Sequence, residues 1–325
     1  MTKPFFLIIL IATLSMLACS GTKQQGQDAA TTKETPVGPA FEADSAYAFC
    51  ERQCAFGPRT MNSEAHEACG QWIAAQFEHY GLKVIEQRAT LRGFDGTPLK
   101  STNIIASYQP ETPDRIMICA HWDSRPWADN DPDTLNHSKP VMAANDGASG
   151  VAVMLELARL LKTQTSLPIG VDFICFDAED WGSDDVPDSW ALGAQHWAAN
   201  LHQPGYKPRY GILLDMVGGR GARFYQEGFS RHYAPQVVNR VWQAAEAAGY
   251  GSFFPKDAGN AITDDHGPVN ETAHIPCIDI IPYYPDCPQS SFGPTWHTVN
   301  DTMEHIDRNT LKAVGQTLVQ VLFNT

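Results

Sequence analysis

A series of metal-type and proton-carrying side chains closes apolar runs or stands in the loops after them. His121 and Asp123 follow Arg115-Ile-Met-Ile-Cys-Ala120, and Asp146 sits in Asn145-Asp-Gly-Ala-Ser-Gly150. Glu179 and Asp180 follow Val171-Asp-Phe-Ile-Cys-Phe-Asp177, Asp215 follows Tyr210-Gly-Ile-Leu-Leu214, and His297 follows Trp296. Zinc takes imidazole nitrogen and carboxylate oxygen, and a catalytic zinc site keeps one position open. Asp146, Asp180 and His297 form a three-ligand set of that kind. Adjacent side chains at a strand end point different ways, so Glu179 faces substrate as a general acid/base while Asp180 binds metal. Asp215 and Asp264 are further carboxylates at strand-end or loop positions. Taken singly, each residue has a plainer role: Asp146 as a helix N-cap, Glu179-Asp180 as a solvated loop, His121 as a hydrogen-bonded structural histidine. Their joint order at strand ends lifts the set above any member, and makes an enzyme the leading reading.

The elements that position these residues follow from the hydrophobic pattern. Continuous apolar runs at 115–120, 170–177, 210–215 and 277–282 predict strands buried on both faces. Ligands collect at the ends of such strands. Helices are predicted over 44–55, 63–80, 147–162, 190–201, 231–248 and 307–323. Short strands near 82–91 and 102–108 predict an antiparallel edge. Strands alternating with helices argue an α/β fold, a three-layer arrangement with a largely parallel mixed sheet covered by helices on both faces. Two long loops, 122–145 and 181–190, carry tryptophans and acids, as does 282–297, and long loops at strand ends often line active sites.

The chain has 325 residues, 43% hydrophobic, and a formal net charge of −14. That bounds one large domain. An acidic chain without a basic run is a poor partner for nucleic acid or anionic membranes. The first residues are a different matter. Lys3 precedes Phe5-Phe-Leu-Ile-Ile-Leu-Ile11, and Leu17-Ala18 precedes Cys19. This predicts a signal peptide over 1–18, with Cys19 as a lipidation site of bacterial lipoprotein type. Residues 19–40 then read as a flexible tether, and 41–325 as a single catalytic domain. The expected location is the bacterial cell envelope, as a periplasm-facing lipoprotein; the alternative is a soluble secreted or periplasmic protein. The membrane is then met only through the N-terminal lipid anchor. Cys119 and Cys175, inside buried strands, are expected as free thiols. Cys50, Cys54, Cys69, Cys277 and Cys287 are the plausible disulfide partners.

The ordered motifs His121-Trp-Asp-Ser-Arg125, Asn145-Asp-Gly-Ala-Ser-Gly150, Phe176-Asp-Ala-Glu-Asp180, Leu213-Leu-Asp-Met216, Asp264-Asp-His266 and Trp296-His-Thr298 resemble the zinc aminopeptidase superfamily. Within it they resemble the animal-type glutaminyl cyclases in their bacterial forms. The resemblance covers about residues 45–323 and implies a zinc-exopeptidase-like fold. It implies one zinc per chain held by Asp146, Asp180 and His297, with Glu179 as the proton-transfer residue. It also implies that Asp215 hydrogen-bonds the reacting glutamine amide, that Asp264 supports that network, and that Trp296 and Trp190 wall the pocket. The implied partners are peptides and proteins with N-terminal glutamine. The chain departs from the animal pattern at Asp180, where those enzymes carry Glu, and at Asp279, where they carry a histidine. Two other readings stay open. One is a di-zinc aminopeptidase, with His121 and Asp215 completing a second metal site and Asp146 bridging. The other is a non-catalytic binding protein on the same fold.

Overall fold

A computed structural model describes Met1, residues 35–163 and residues 167–324. Cys19, the expected signal peptide and most of the expected tether lie outside these residues. At the centre of a six-stranded sheet run β3 (Arg115–His121) and β4 (Gly170–Phe176), every residue of both buried. Burial on both faces is why these segments are apolar without alternation. β5 (Gly211–Leu214) and β6 (Cys277–Ile280) extend the parallel half beyond β3. β1 (Lys83–Arg92) and β2 (Pro98–Tyr108) form an antiparallel pair that joins β4, so the sheet order is β1-β2-β4-β3-β5-β6. The exposed edge strand β1 carries Lys83, Glu86, Arg88 and Arg92, charges that discourage pairing with another chain.

Helices cover both faces. Ile116, Ile118, Val171 and Phe173 share one core with α1 (Ala43–Cys54), α2 (Glu64–His79), α3 (Ala148–Thr163), α6 (Pro235–Ala247) and α8 (Arg308–Phe323). The alternate residues Met117, Cys119, Ile174 and Phe176 pack on the other face with α4 (Leu192–Ala199) and α7 (His266–Glu271). A short helix, α5 (Gly228–Tyr233), lies against β6. The expected three-layer α/β architecture is therefore observed.

Several local expectations change. The helix expected over 231–248 is two, α5 and α6, divided at Ala234; Pro235 cannot continue the earlier helix and opens the next. α7 was not foreseen, because Gly267 and Pro268 read as a turn. The last residues of the expected tether, 35–40, are bonded to the domain. Val37 donates to Gln320 Oε1 at 2.8 Å, and Thr35 and Pro39 accept from Gln320 and Gln316 at 3.1 Å each. Those bonds fasten 35–40 to α8. All seven cysteines among the described residues are free. Cys119 and Cys175 are buried as expected; of the candidate partners, Cys50 and Cys54 are in side-chain contact as free thiols, whereas Cys69 and Cys277 lie in cores on opposite faces of the sheet.

Candidate active site

Parallel strands deliver their carboxyl ends to one edge of the sheet. His121 closes β3, Glu179 and Asp180 follow β4, and Asp215 follows β5. Each is then fixed by a distant partner. Asp123 accepts the backbone N–H of Glu179 at 3.1 Å and of Asp180 at 3.2 Å, which sets the turn after β4. Asp301 does the same for the third segment, accepting from Asn145 N at 2.8 Å and Asp146 N at 3.0 Å. Within that segment Gly147 adopts φ +102°, and a Cβ there would meet Asp123 O at 2.6 Å. A Cβ on Gly150 would collide with the Leu214 carbonyl. Only glycine lets α3 begin this close to the strand ends. Asp146 is not spent on capping: its Oδ1 lies 3.0 Å from His121 Nε2.

Asp146, Asp180 and His297 converge, with one donor atom from each all within 4.8 Å of one another. His297 Nε2 lies 3.2 Å from Asp180 Oδ1 and 3.6 Å from Asp146 Oδ2. All three residues are buried, and neither carboxylate oxygen of Asp180 has a hydrogen-bond partner. A buried carboxylate without donors is costly, and a cation is the natural compensation. Two carboxylates and one imidazole fit zinc. A second set overlaps the first: His121, Asp146 and Asp215, with His121 Nε2 3.2 Å from Asp215 Oδ1. Backbone strain borders the whole site, since Ala178 (φ 54°), Met216 (φ 48°) and His297 (φ 51°) are left-handed without being glycine.

The carboxylates beside these sets are crowded and buried. Burial pushes the Glu179 carboxyl well above its ordinary range; His121 opposes this and Asp180 and Asp264 add to it. Asp215 and Asp264 are raised, again chiefly by burial. Asp279 and Asp265 are raised strongly by burial and by Asp264 beside them. Asp264, His266 and Asp279 make a further converging set, and Asp264 Oδ2 and both oxygens of Asp265 and of Asp279 lack partners. For His297, burial works against the charged ring, but Asp180 and Asp129 outweigh it and push the pKa to about 9.

These groups open into a recess of about 240 Å³ lined by Asp146, Glu179, Asp215, Asp264, Ile262, Phe292 and both expected tryptophans. Trp296 stacks on His297 at 3.8 Å between ring centroids, and Trp190 faces the same imidazole at 6.0 Å with a 20° tilt. A larger recess of about 430 Å³ between α6 and α8 is lined by Gln236, Asn239, Arg240 and Gln243. It holds none of the converging ligand sets, so the chemistry belongs to the smaller one. The residues expected from the sequence, Asp146, Glu179, Asp180, Asp215, Asp264 and His297, are brought together here, and Phe292 comes from the 282–297 loop expected at the site. Asp301 and Ile262 carry no local signal by which the sequence singles them out.

The family description "Peptidase family M28" matches residues 103–322. The chain belongs to peptidase family M28. Among solved M28-like structures, a glutaminyl cyclase from Tannerella forsythia is 52% identical, covers 88% of this chain and 100% of its own, and superposes with a TM-score of 0.86. A structure described as a leucine aminopeptidase precursor from Bacteroides thetaiotaomicron is 49% identical, with 90% and 100% covered and a TM-score of 0.85. Aminopeptidase YwaD of Bacillus subtilis is 30% identical over 73% of this chain, and a glutaminyl-peptide cyclotransferase of Gloydius blomhoffii is 29% identical over 67%. The chain spans 48% and 63% of the lengths of those two relatives.

Proposed function

We propose that this M28 chain is a zinc-dependent glutaminyl-peptide cyclotransferase, converting N-terminal glutamine of peptides and proteins to pyroglutamate with release of ammonia. The observation that carries the reading is Glu179. It is a buried carboxyl held above its ordinary range by burial, beside the Asp146, Asp180 and His297 set, and it lines a small aromatic-walled recess. Similarity over 88% of this chain to bacterial glutaminyl cyclases, at 50–52% identity, supports it.

Asp146, Asp180 and His297 would hold one zinc, which would supply Lewis acidity to the reacting amide. The rest is done by side chains. Glu179 takes a proton from the α-amine as its nitrogen bonds to the γ-carbonyl carbon. It then returns that proton to the departing amide nitrogen, which leaves as ammonia. A carboxyl whose proton affinity is raised by burial suits both halves of that shuttle. Asp215 accepts an N–H of the γ-amide, and Asp264 supports that carboxylate. Trp296 and Trp190 hold the side chain folded, and because the attack is intramolecular, orientation is most of what is required. The test is ammonia release from Gln-initiated peptides by zinc-loaded wild type and Glu179→Ala. Equal release, or none from either, sinks the reading.

One observation favours a second reading. His121, Asp146 and Asp215 form another ligand set sharing Asp146 with the first. Two zincs per chain with cleavage of Leu-initiated peptides would make this an aminopeptidase. We further propose that Cys19 is lipidated and anchors the enzyme in the bacterial cell envelope; labelling by a fatty-acid probe that survives Cys19→Ala would end that idea.

A further inference from the structure

His297 is held on both of its nitrogens. Nε2 faces Asp180 and Asp146, while Nδ1 lies 3.5 Å from Asp129 Oδ1 on the opposite side of the ring. Asp129 is partly exposed, and a lone exposed carboxylate would be a loose support. It is not alone. Arg125 grips both of its oxygens, with Nε 2.8 Å from Oδ1 and Nη2 on Oδ2. Arg125 itself is buried, and its Nη1 donates to the carbonyls of Asp180 at 3.0 Å and Gly182 at 3.3 Å. Nη1 also lies 3.5 Å from Asp180 Oδ1. The guanidinium sits 4.8 Å over the Trp190 ring, which is the ring that faces His297. A single guanidinium thus touches one metal-type residue directly, a second through Asp129, and one wall of the recess.

We propose that Arg125 and Asp129 are a positioning clamp for the metal centre. A carboxylate accepts and cannot donate, so the imidazole nitrogen facing Asp129 carries the hydrogen. That tautomer leaves the Nε2 lone pair directed at Asp146 and Asp180, where a metal donor is needed. The bidentate Arg125 grip fixes Asp129, and its bonds to the Asp180 and Gly182 carbonyls keep both ligand segments in one register. Lysine could not replace it, because a single ammonium offers neither the fork nor the planar face for Trp190. The inference rests on the metal reading above. Backbone bonds also hold this loop, with Asn130 N donating to His297 O at 3.1 Å and Asn130 Nδ2 to Trp296 O at 3.2 Å. Both survive truncation of Asp129, so an experiment can separate the clamp from general loop docking.

The experiment measures the zinc dissociation constant by competition with a chromophoric chelator, for wild type, Asp129→Ala, Asp129→Asn and Arg125→Lys. Loss of an outer carboxylate of this kind weakens metal binding about 10–100-fold. That range is expected for Asp129→Ala, with a smaller loss for Asp129→Asn, whose amide oxygen still accepts. Asp129→Ala leaves buried Arg125 without its carboxylate, so metal-free melts of variant and wild type are recorded alongside, and zinc affinities are compared at a temperature where both metal-free proteins are folded. If Arg125→Lys does not fold, the two Asp129 variants decide. Zinc affinity of Asp129→Ala within about twofold of wild type overturns the clamp alone. A wild type that binds no zinc overturns the clamp and the functional reading together.

Discussion

The two ends of one sheet bury charge in opposite ways. Near the amino ends of β3 and β4, Asp172 accepts from Arg115 Nε at 2.6 Å and Nη2 at 2.7 Å, from Ser107 at 2.6 Å and from Tyr206 at 2.8 Å. Both oxygens are fully served. At the carboxyl ends, both oxygens of Asp180, Asp265 and Asp279 and one of Asp264 have no hydrogen-bond partner. The burial is equally deep, so depth does not distinguish the two. What differs is satisfaction. A buried ion with all its hydrogen bonds is structure, whereas crowded buried acids without hydrogen-bond donors rely on protons or on cationic neighbours, as Asp180 does on His297 and Arg125, and such crowding is typical of functional sites.

That contrast can be broken in four places. The largest effect is expected for Glu179→Gln. Ammonia release should fall by about 10²- to 10⁴-fold, the usual contribution of a positioned acid/base. Thermal stability should hold or rise, since one of several crowded acids is neutralised; a melting loss with preserved turnover would show that Glu179 is structural. Asp172→Ala should behave in the opposite sense, costing about 3–5 kcal/mol of stability by stranding buried Arg115, with activity per folded molecule retained. Denaturant melts and active-site-normalised rates check both halves. Zinc removal should come next. For protein held at about 1,000 times its zinc Kd, chelation should lower stability by about 4 kcal/mol. The melting shift should vanish in Asp180→Ala; a shift that persists there would move the metal away from this set.

The smallest effect sharpens the contrast within the functional end itself. Glu227 lies close to Asp264 and Asp279, yet it is fully partnered. It caps α5 through Phe229 N and Ser230 N at 2.7 and 2.6 Å and lies 3.2 Å from His266 Nε2. Burial alone would raise its pKa, but His266 and Ser230 outweigh burial and hold it at about 2. A depressed folded pKa gives stability that is present above the unfolded value near ~4.3 and lost as pH falls through the folded one. Wild type should therefore lose up to roughly 3 kcal/mol more than Glu227→Gln between about pH 4 and 2. Parallel acid-unfolding curves for the two would show that Glu227 is not specially stabilised.

Much of this was legible in a linear reading, for a local reason. Buried parallel strands are apolar throughout, helices repeat their apolar face, and the residue after each strand is visible beside it. That is why His121, Asp146, Glu179, Asp180, Asp215, Asp264 and His297 could be picked out as residues the fold would gather at one edge. The misses were also local in origin where a signal existed: Pro235 marked the break between α5 and α6, and was read through. Tertiary structure alone decided the remainder, because the partners are far apart in the chain. Asp301 reaches back 156 residues to hold Asn145. Asp123 sets a turn 56 residues on, at Glu179. Arg125 joins Asp129 to the Asp180 turn and, through it, to His297, and no periodicity encodes such a meeting. Which oxygens end without a donor depends on every neighbour that packing brings or withholds. Residue types announce a metal and a proton shuttle; only the fold determines which buried acids are satisfied and which are left poised.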